Sequence, residues 1–162
     1  MSLVEAYDPR SRTWSSRTPM PSARRGHAVV AAPNGFIYVI GGRGEGSGTN
    51  YLASVDVYNP ETDTWKTAAS MPTARAFFGA SLGSDGRIYA IGGYNDTGYL
   101  RTVEAYDPSR NDWSAVAPLE IARAGLAVAS VGNRLLAIGG EQVNGGDGFL
   151  SNATEERRCS RR

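Results

Sequence analysis

The sequence predicts an all-β fold assembled from repeated units of four short antiparallel strands. Three observations carry this. A pattern of eleven residues occurs three times: VEAYDPRSRTW from Val4, VDVYNPETDTW from Val55 and VEAYDPSRNDW from Val103. An apolar run closes on a Gly-Gly pair three times, at Gly41-Gly42, Gly92-Gly93 and Gly139-Gly140. No stretch sustains the 3.6-residue apolar period of an amphipathic helix, so helix content is expected near zero.

The repeat period is 51 residues and then 48. The spacing from Val to Trp is constant, and the length difference falls in the loop after Gly-Gly. A fixed frame with one variable loop is the pattern of a scaffold that carries binding loops. In each unit the first strand is small and apolar: Ala28–Ala31, Gly79–Leu82 and Ala127–Ser130. A tight turn follows at Asn34-Gly35, Asp85-Gly86 or Gly132-Asn133, as a hairpin requires. The second strand is continuously apolar, at Phe36–Ile40, Ile88–Ile91 and Leu135–Ile138. Loss of alternation there predicts burial on both faces. The third strand carries the Val-x-x-Tyr pattern. Asp8-Pro9, Asn59-Pro60 and Asp107-Pro108 then suit a type I turn, since Pro presets φ at its second position. The fourth strand is brief and centred on Trp14, Trp65 or Trp113.

Four antiparallel strands per unit of about 50 residues resemble the kelch repeat, one blade of a β-propeller. The resemblance covers residues 2 to about 142, and more loosely to about 154. It implies that Tyr58 and Trp65 pack between neighbouring blades, as do Tyr7, Tyr106, Trp14 and Trp113. It also implies that the Gly pair ends the second strand where backbones crowd. The kelch repeat region is expected over 1–154. It divides into third and fourth strands of a first blade at 2–24, full blades at 25–66 and 76–114, and first and second strands of a last blade at 124–140. That makes about three blade equivalents, a half-propeller or a fragment of a larger one, because propellers typically need 4–8 blades. Two chains pairing as a homodimer would complete a six-bladed ring. Register places 153–156 on a third strand, but Glu156 stands where Tyr is expected and no Trp follows. The segment 155–162 is therefore expected to be a charged, disordered tail.

Composition narrows the function. There are 17 Lys and Arg against 16 Asp and Glu, a net charge of +1, which gives no basic footprint for nucleic acid. No apolar run approaches the roughly 20 residues of a membrane helix. No leader is visible at Met1–Glu5. Cys159 is the only cysteine and His27 the only histidine. No intrachain disulfide can form, a Cys/His metal site is not expected, and a cytoplasmic location is. No cofactor is implied. A copper oxidase site like that of galactose oxidase needs two histidines, so this chain cannot build it. The stretch GGRGEGSG from Gly41 lacks the Lys-Ser/Thr of a phosphate loop and precedes a strand.

The expected function is a protein-interaction module that binds a partner through loops on one propeller face. The loops after Gly-Gly carry Arg43, Glu45, Asn50 and Tyr51, then Tyr94, Asn95, Asp96 and Tyr99, then Gln142, Asn144 and Phe149. Amphipathic rings with adaptable hydrogen-bonding groups are what recognition loops use. Arg24, Arg75 and Arg123 precede the first strand of each unit. In kelch ubiquitin-ligase adaptors an arginine there often lines the mouth and reads an acidic peptide. The competing role is to brace the inter-blade linker through backbone carbonyls. The alternatives for the whole chain are a sugar-active kelch enzyme of the isomerase or mutarotase kind, or a ubiquitin-ligase substrate-recognition fragment. His27 is read as a packing or rim residue.

Overall fold

The computed structural model describes residues 1–46, 49–144, 147–150 and 154–159, with backbone alone at 143, 144, 147–150, 157 and 158. Among the described residues every regular element is a strand, and every pairing is antiparallel. β1 (Val4–Asp8) and β2 (Thr13–Arg17) form a two-stranded ribbon. β3 (Arg24–Arg25) leads into a complete blade of β4 (Ala28–Ala31), β5 (Ile37–Ile40), β7 (Val55–Asn59) and β8 (Thr64–Ala68). β6 (Arg43–Gly44) returns to pair with β3. The next blade is β9 (Gly79–Leu82), β10 (Ile88–Ile91), β13 (Val103–Asp107) and β14 (Asp112–Val116). Between its second and third strands lies the small ribbon of β11 (Tyr94–Asn95) and β12 (Gly98–Tyr99). The last unit has β15 (Ala127–Val131), β16 (Arg134–Ile138) and β19 (Thr154–Arg158), with β17 (Glu141–Asn144) and β18 (Asp147–Leu150) paired beside them.

The doubly buried second strand is confirmed most fully in β10, where all four residues are buried. Its alternate side chains serve two cores. Ile88 and Ala90 join Ile40, Val55, Val57, Met71, Phe78 and Tyr106 on the side of the preceding blade. Tyr89 and Ile91 join Val103, Leu119, Leu126, Leu135 and Ala137 on the other. Each core therefore lies between two blades, and neither sheet stands without its neighbour.

The turns explain the Asp-Pro signal more fully than a simple β-turn. The side chains of Asp8, Asn59 and Asp107 accept from the backbone N–H groups of Arg10, Glu61 and Ser109 at 2.8, 3.0 and 2.9 Å. Arg12, Asp63 and Asn111 then take positive φ of 58°, 54° and 52° to close the loop.

Tyr58, Trp65, Tyr106 and Trp113 pack as expected, whereas Tyr7 and Trp14 stack on each other and stay 47% and 66% exposed, which corrects the expectation for those two. Trp65 Nε1 donates to the Thr18 carbonyl at 2.9 Å, and Trp113 Nε1 to the Ala69 carbonyl at 2.8 Å. Thr18 and Ala69 in turn donate their backbone N–H to Asp63 Oδ1 (2.9 Å) and Asn111 Oδ1 (2.8 Å). Each blade thus grips the strand exit of the preceding one at two points. Tyr58 and Tyr106 donate to those same oxygens at 2.6 and 2.9 Å, which holds the acceptors in place. The Tyr58 hydrogen bond, helped by Thr18 N–H, holds the Asp63 carboxyl below the usual aspartate range.

The expectation of a disordered tail from Glu155 onward is corrected for 155–159. β19 pairs along its whole length with β16, placing Glu156 opposite Leu136. The last unit therefore has three strands rather than two. The ladder uses backbone groups, so it does not need the missing Tyr. Glu155 fills a position that the frame requires, and Cys159 is buried in the second core. Residues 160–162 lie outside the described residues.

Candidate functional site

The three arginines before the first strands are buried, Arg75 and Arg123 completely and Arg24 nearly so. Arg75 donates through one terminal nitrogen to the carbonyls of Gly92 (3.0 Å) and Thr102 (2.8 Å), and through the other to Glu104 Oε2 at 2.7 Å. Arg24 donates to the Gly41 and Ser54 carbonyls and pairs with Asp56. Arg123 donates to the Gly139 and Ala137 carbonyls and pairs with Glu155 at 3.1 Å. Each guanidinium ties the Gly-Gly end of its second strand to the acid on its third. Burial pushes Arg24 and Arg75 below the ordinary arginine value, while Asp56 and Glu104 oppose the shift. This geometry is the bracing role. Their contacts are made inside the blade, which corrects the expectation that they line the mouth.

The acids Asp56, Glu104 and Glu155 do not stand out as site residues in the sequence. The available signal was an Asp or Glu at the second residue of the third strand, in VDVY, VEAY and the degenerate TEER. A charged residue in a strand ordinarily marks a solvent face, so local pattern alone does not set this position against the arginine that shares its period.

The first two loops after Gly-Gly meet. Tyr51 and Tyr94 meet edge to face with ring centroids 6.0 Å apart, and Tyr94 and Tyr99 likewise at 5.1 Å. All three rings are half-buried. The Arg43 guanidinium lies 5.8 Å from the Tyr51 centroid, and Asp96 is exposed beside them. Desolvation, together with the neighbouring Glu141, raises the Tyr99 phenol above its ordinary value. Two asparagines serve the loops themselves. Asn95 donates to the Ala74 carbonyl at 3.0 Å and accepts from Thr97, and Asn50 donates to the Glu45 carbonyl at 3.4 Å. Gln142 is half-buried at the rim. The side chains of Asn144 and Phe149 lie outside the described residues.

His27 is half-buried, and its Cβ sits where a side chain on Gly42 would collide at 2.9 Å. Burial, with the Arg24 charge behind it, lowers its pKa. It packs at the blade edge, with its Nδ1 buried and without a hydrogen-bond partner.

Repeated four-stranded antiparallel blades, joined through shared cores and braced by one arginine each, define a propeller-type repeat protein. The chain belongs to the kelch-repeat family: the KLHDC2/KLHL20/DRC7 Kelch-repeats domain matches residues 2–154. It is similar to Kelch-like protein 40 of Mus musculus, 36% identical over 137 residues, which is 85% of this chain and 21% of that protein. Kelch-like protein 40 of Xenopus laevis is 39% identical over 137 residues, 85% of this chain and 22% of its own length. Kelch-like protein 41b of Danio rerio is 36% identical over 93 residues, 57% of this chain and 15% of its own length. The chain therefore spans about a fifth of the length of these Kelch-like protein 40 relatives. No helix among the described residues is long and apolar enough to cross a membrane.

Proposed function

We propose that this chain is a protein-interaction module that takes an extended segment of a partner protein across Tyr51, Tyr94 and Tyr99. The carrying observation is the continuous edge-to-face array of these rings across two blades. Tyrosine supplies a large contact area at low entropic cost and keeps a polar tip, which is why it recurs in binding hot spots. The rings sit on loops whose ends are pinned by the blade frame, so little further ordering is needed on binding. An array of random dodecapeptides probed with the labelled chain tests this. The paired change Tyr94→Ala and Tyr99→Ala is expected to weaken the best binders about tenfold or more with the melting temperature nearly unchanged. Unchanged binding by that variant overturns the reading.

The same proposal includes pairing of two chains. Trp65 and Trp113 each hold a carbonyl of the blade before them, whereas Trp14 is 66% exposed and Tyr7 beside it 47%. At the other end Val131 and Ile138 are exposed on the last unit at 64% and 43%. Apolar patches of this kind mark contacts. Light scattering is expected to give twice the 17.2 kDa chain mass, with Trp14→Ala shifting the population toward the single chain. A monodisperse single-chain mass at high concentration rules the pairing out.

A further inference from the structure

The residue two positions before the first strand of each unit holds positive φ: Gly26 at 61°, Phe77 at 55° and Gly125 at 65°. Main-chain hydrogen bonds link the three across the blades. Phe77 N–H donates to the Gly26 carbonyl at 2.8 Å, and Gly125 N–H to the Phe77 carbonyl at 2.7 Å. Glycine takes this conformation without steric cost, whereas a bulky side chain does not. Among the described residues the other non-glycines at positive φ are Arg12, Asp63 and Asn111, all polar and all closing turns. Phe77 is the one apolar side chain in this conformation, and its ring is 45% exposed instead of being spent in a core. Backbone strain held beneath an exposed aromatic is a pointer to function, since burial repays only part of it. We infer that Phe77 is the anchor of the binding face and takes one aromatic or branched apolar side chain of the bound segment. This rests on the interaction reading above and specifies a residue of the partner.

The repeat shows where that side chain sits. Phe77 lays its ring over the preceding Gly26, where an added Cβ would stand 2.9 Å from two of the ring carbons. Gly125 has no ring to lay over Phe77 in turn, and an added Cβ at Gly125 meets nothing within 4 Å. The flank of Phe77 toward Gly125 is therefore an aromatic wall standing on bare backbone, and a side chain from the partner takes the place that a ring at position 125 would fill. This seat continues the tyrosine array. Ala76, adjacent to Phe77, exchanges both main-chain hydrogen bonds with Tyr94, at 3.0 and 2.9 Å. A segment lying across Tyr51, Tyr94 and Tyr99 thus passes beside Phe77. Aromatic anchors facing an apolar side chain carry much of the energy of an interface. The bonds from Phe77 to the blades on both sides fix its backbone beforehand, so little freedom is lost on binding.

The test uses the full chain and peptides from the same dodecapeptide array, compared by fluorescence polarisation. Binders are expected to share one aromatic or branched apolar residue whose change to Ala weakens binding about tenfold or more. Phe77→Gly is expected to weaken the parent peptide by a similar factor. It should bind the Ala-substituted peptide no more weakly than the unaltered chain does, because both changes remove the same contact. Phe77→Tyr keeps the ring and should bind as the unaltered chain. Phe77→Gly also relieves the backbone, so it should melt above Phe77→Ala, which loses the ring and keeps the strain, while the two lose binding equally. Full binding by Phe77→Gly overturns the inference. So do losses that add in the cycle of Phe77→Gly with the peptide change, since the ring would then only prop the loop. If Phe77→Gly is silent while Tyr94→Ala with Tyr99→Ala abolishes binding, the interaction reading stands and the anchor falls. If no bound peptide depends on Phe77 or on those tyrosines, both fall.

Discussion

Arg75→Ala is expected to lower the unfolding free energy by about 3–5 kcal/mol, measured by urea denaturation. The Arg75 side chain is fully buried and that of Glu104 is 3% exposed. Removing the guanidinium leaves Glu104 as a buried carboxylate whose remaining partner is Thr73 Oγ1 at 2.7 Å. The Gly92 carbonyl loses its donor in the same step, while the Thr102 carbonyl keeps the Gly92 N–H at 3.0 Å. Unpaired buried groups, rather than the lost attraction itself, set the size of the effect. Against a total of about 5–15 kcal/mol for a typical domain, this is a large share. The paired change Arg75→Met with Glu104→Leu is expected to recover much of the loss, because it removes both charges and fills the space with apolar atoms. If Arg75→Ala costs less than about 1 kcal/mol while peptide binding collapses, the bracing role assigned here is wrong and the arginine serves the mouth.

This brace marks where the sequence was legible and where it was not. The strand frame could be read because Val, Tyr, Pro, Trp and Gly-Gly recur at fixed spacing, and each has a local reason for its place. The Arg–acid pair is different. Arg75 and Glu104 are 29 positions apart, and only the sheet order β9-β10-β13 brings them together. Local pattern gives an arginine in a linker and a glutamate in a strand, both of which read as solvated. The tail failed for a related reason. β19 lacks the Tyr and Asp-Pro signals, but strand pairing spends backbone groups, and the one side chain the frame needs there is the acid, supplied by Glu155. The loop ribbons are not legible, because two-residue strands such as β11 and β12 are too short to show any period. What is legible of the candidate face is its composition; the meeting of Tyr51, Tyr94 and Tyr99 needs the fold.

Gly93→Ala is expected to destabilise by about 3 kcal/mol or more, and to do so for two separable reasons. Gly93 holds φ at +104°, a region L-residues avoid, and an added Cβ would stand 2.7 Å from Phe78 Cβ and 2.9 Å from the Ala76 carbonyl oxygen. Those neighbours cannot yield. Phe78 belongs to the core between the two complete blades, and Ala76 is bonded in both directions to Tyr94. Gly98 isolates the first reason. Its φ is +103°, yet an added Cβ there meets nothing within 4 Å. Gly98→Ala should therefore cost only the backbone strain, about 1–2 kcal/mol, and the difference between the two variants reads the crowding at the Gly-Gly node. Equal urea midpoints for the two would show that crowding contributes nothing and that the pair is kept for φ alone. The node also reaches the binding face. Gly93 accepts from Leu100 N–H at 2.8 Å and donates to the Arg123 carbonyl at 2.9 Å, so it fixes the ends of the loop that carries Tyr94 and Tyr99. Gly93→Ala should accordingly weaken peptide binding at temperatures well below its own melting transition, whereas a purely global loss of stability would leave binding by the folded fraction unchanged.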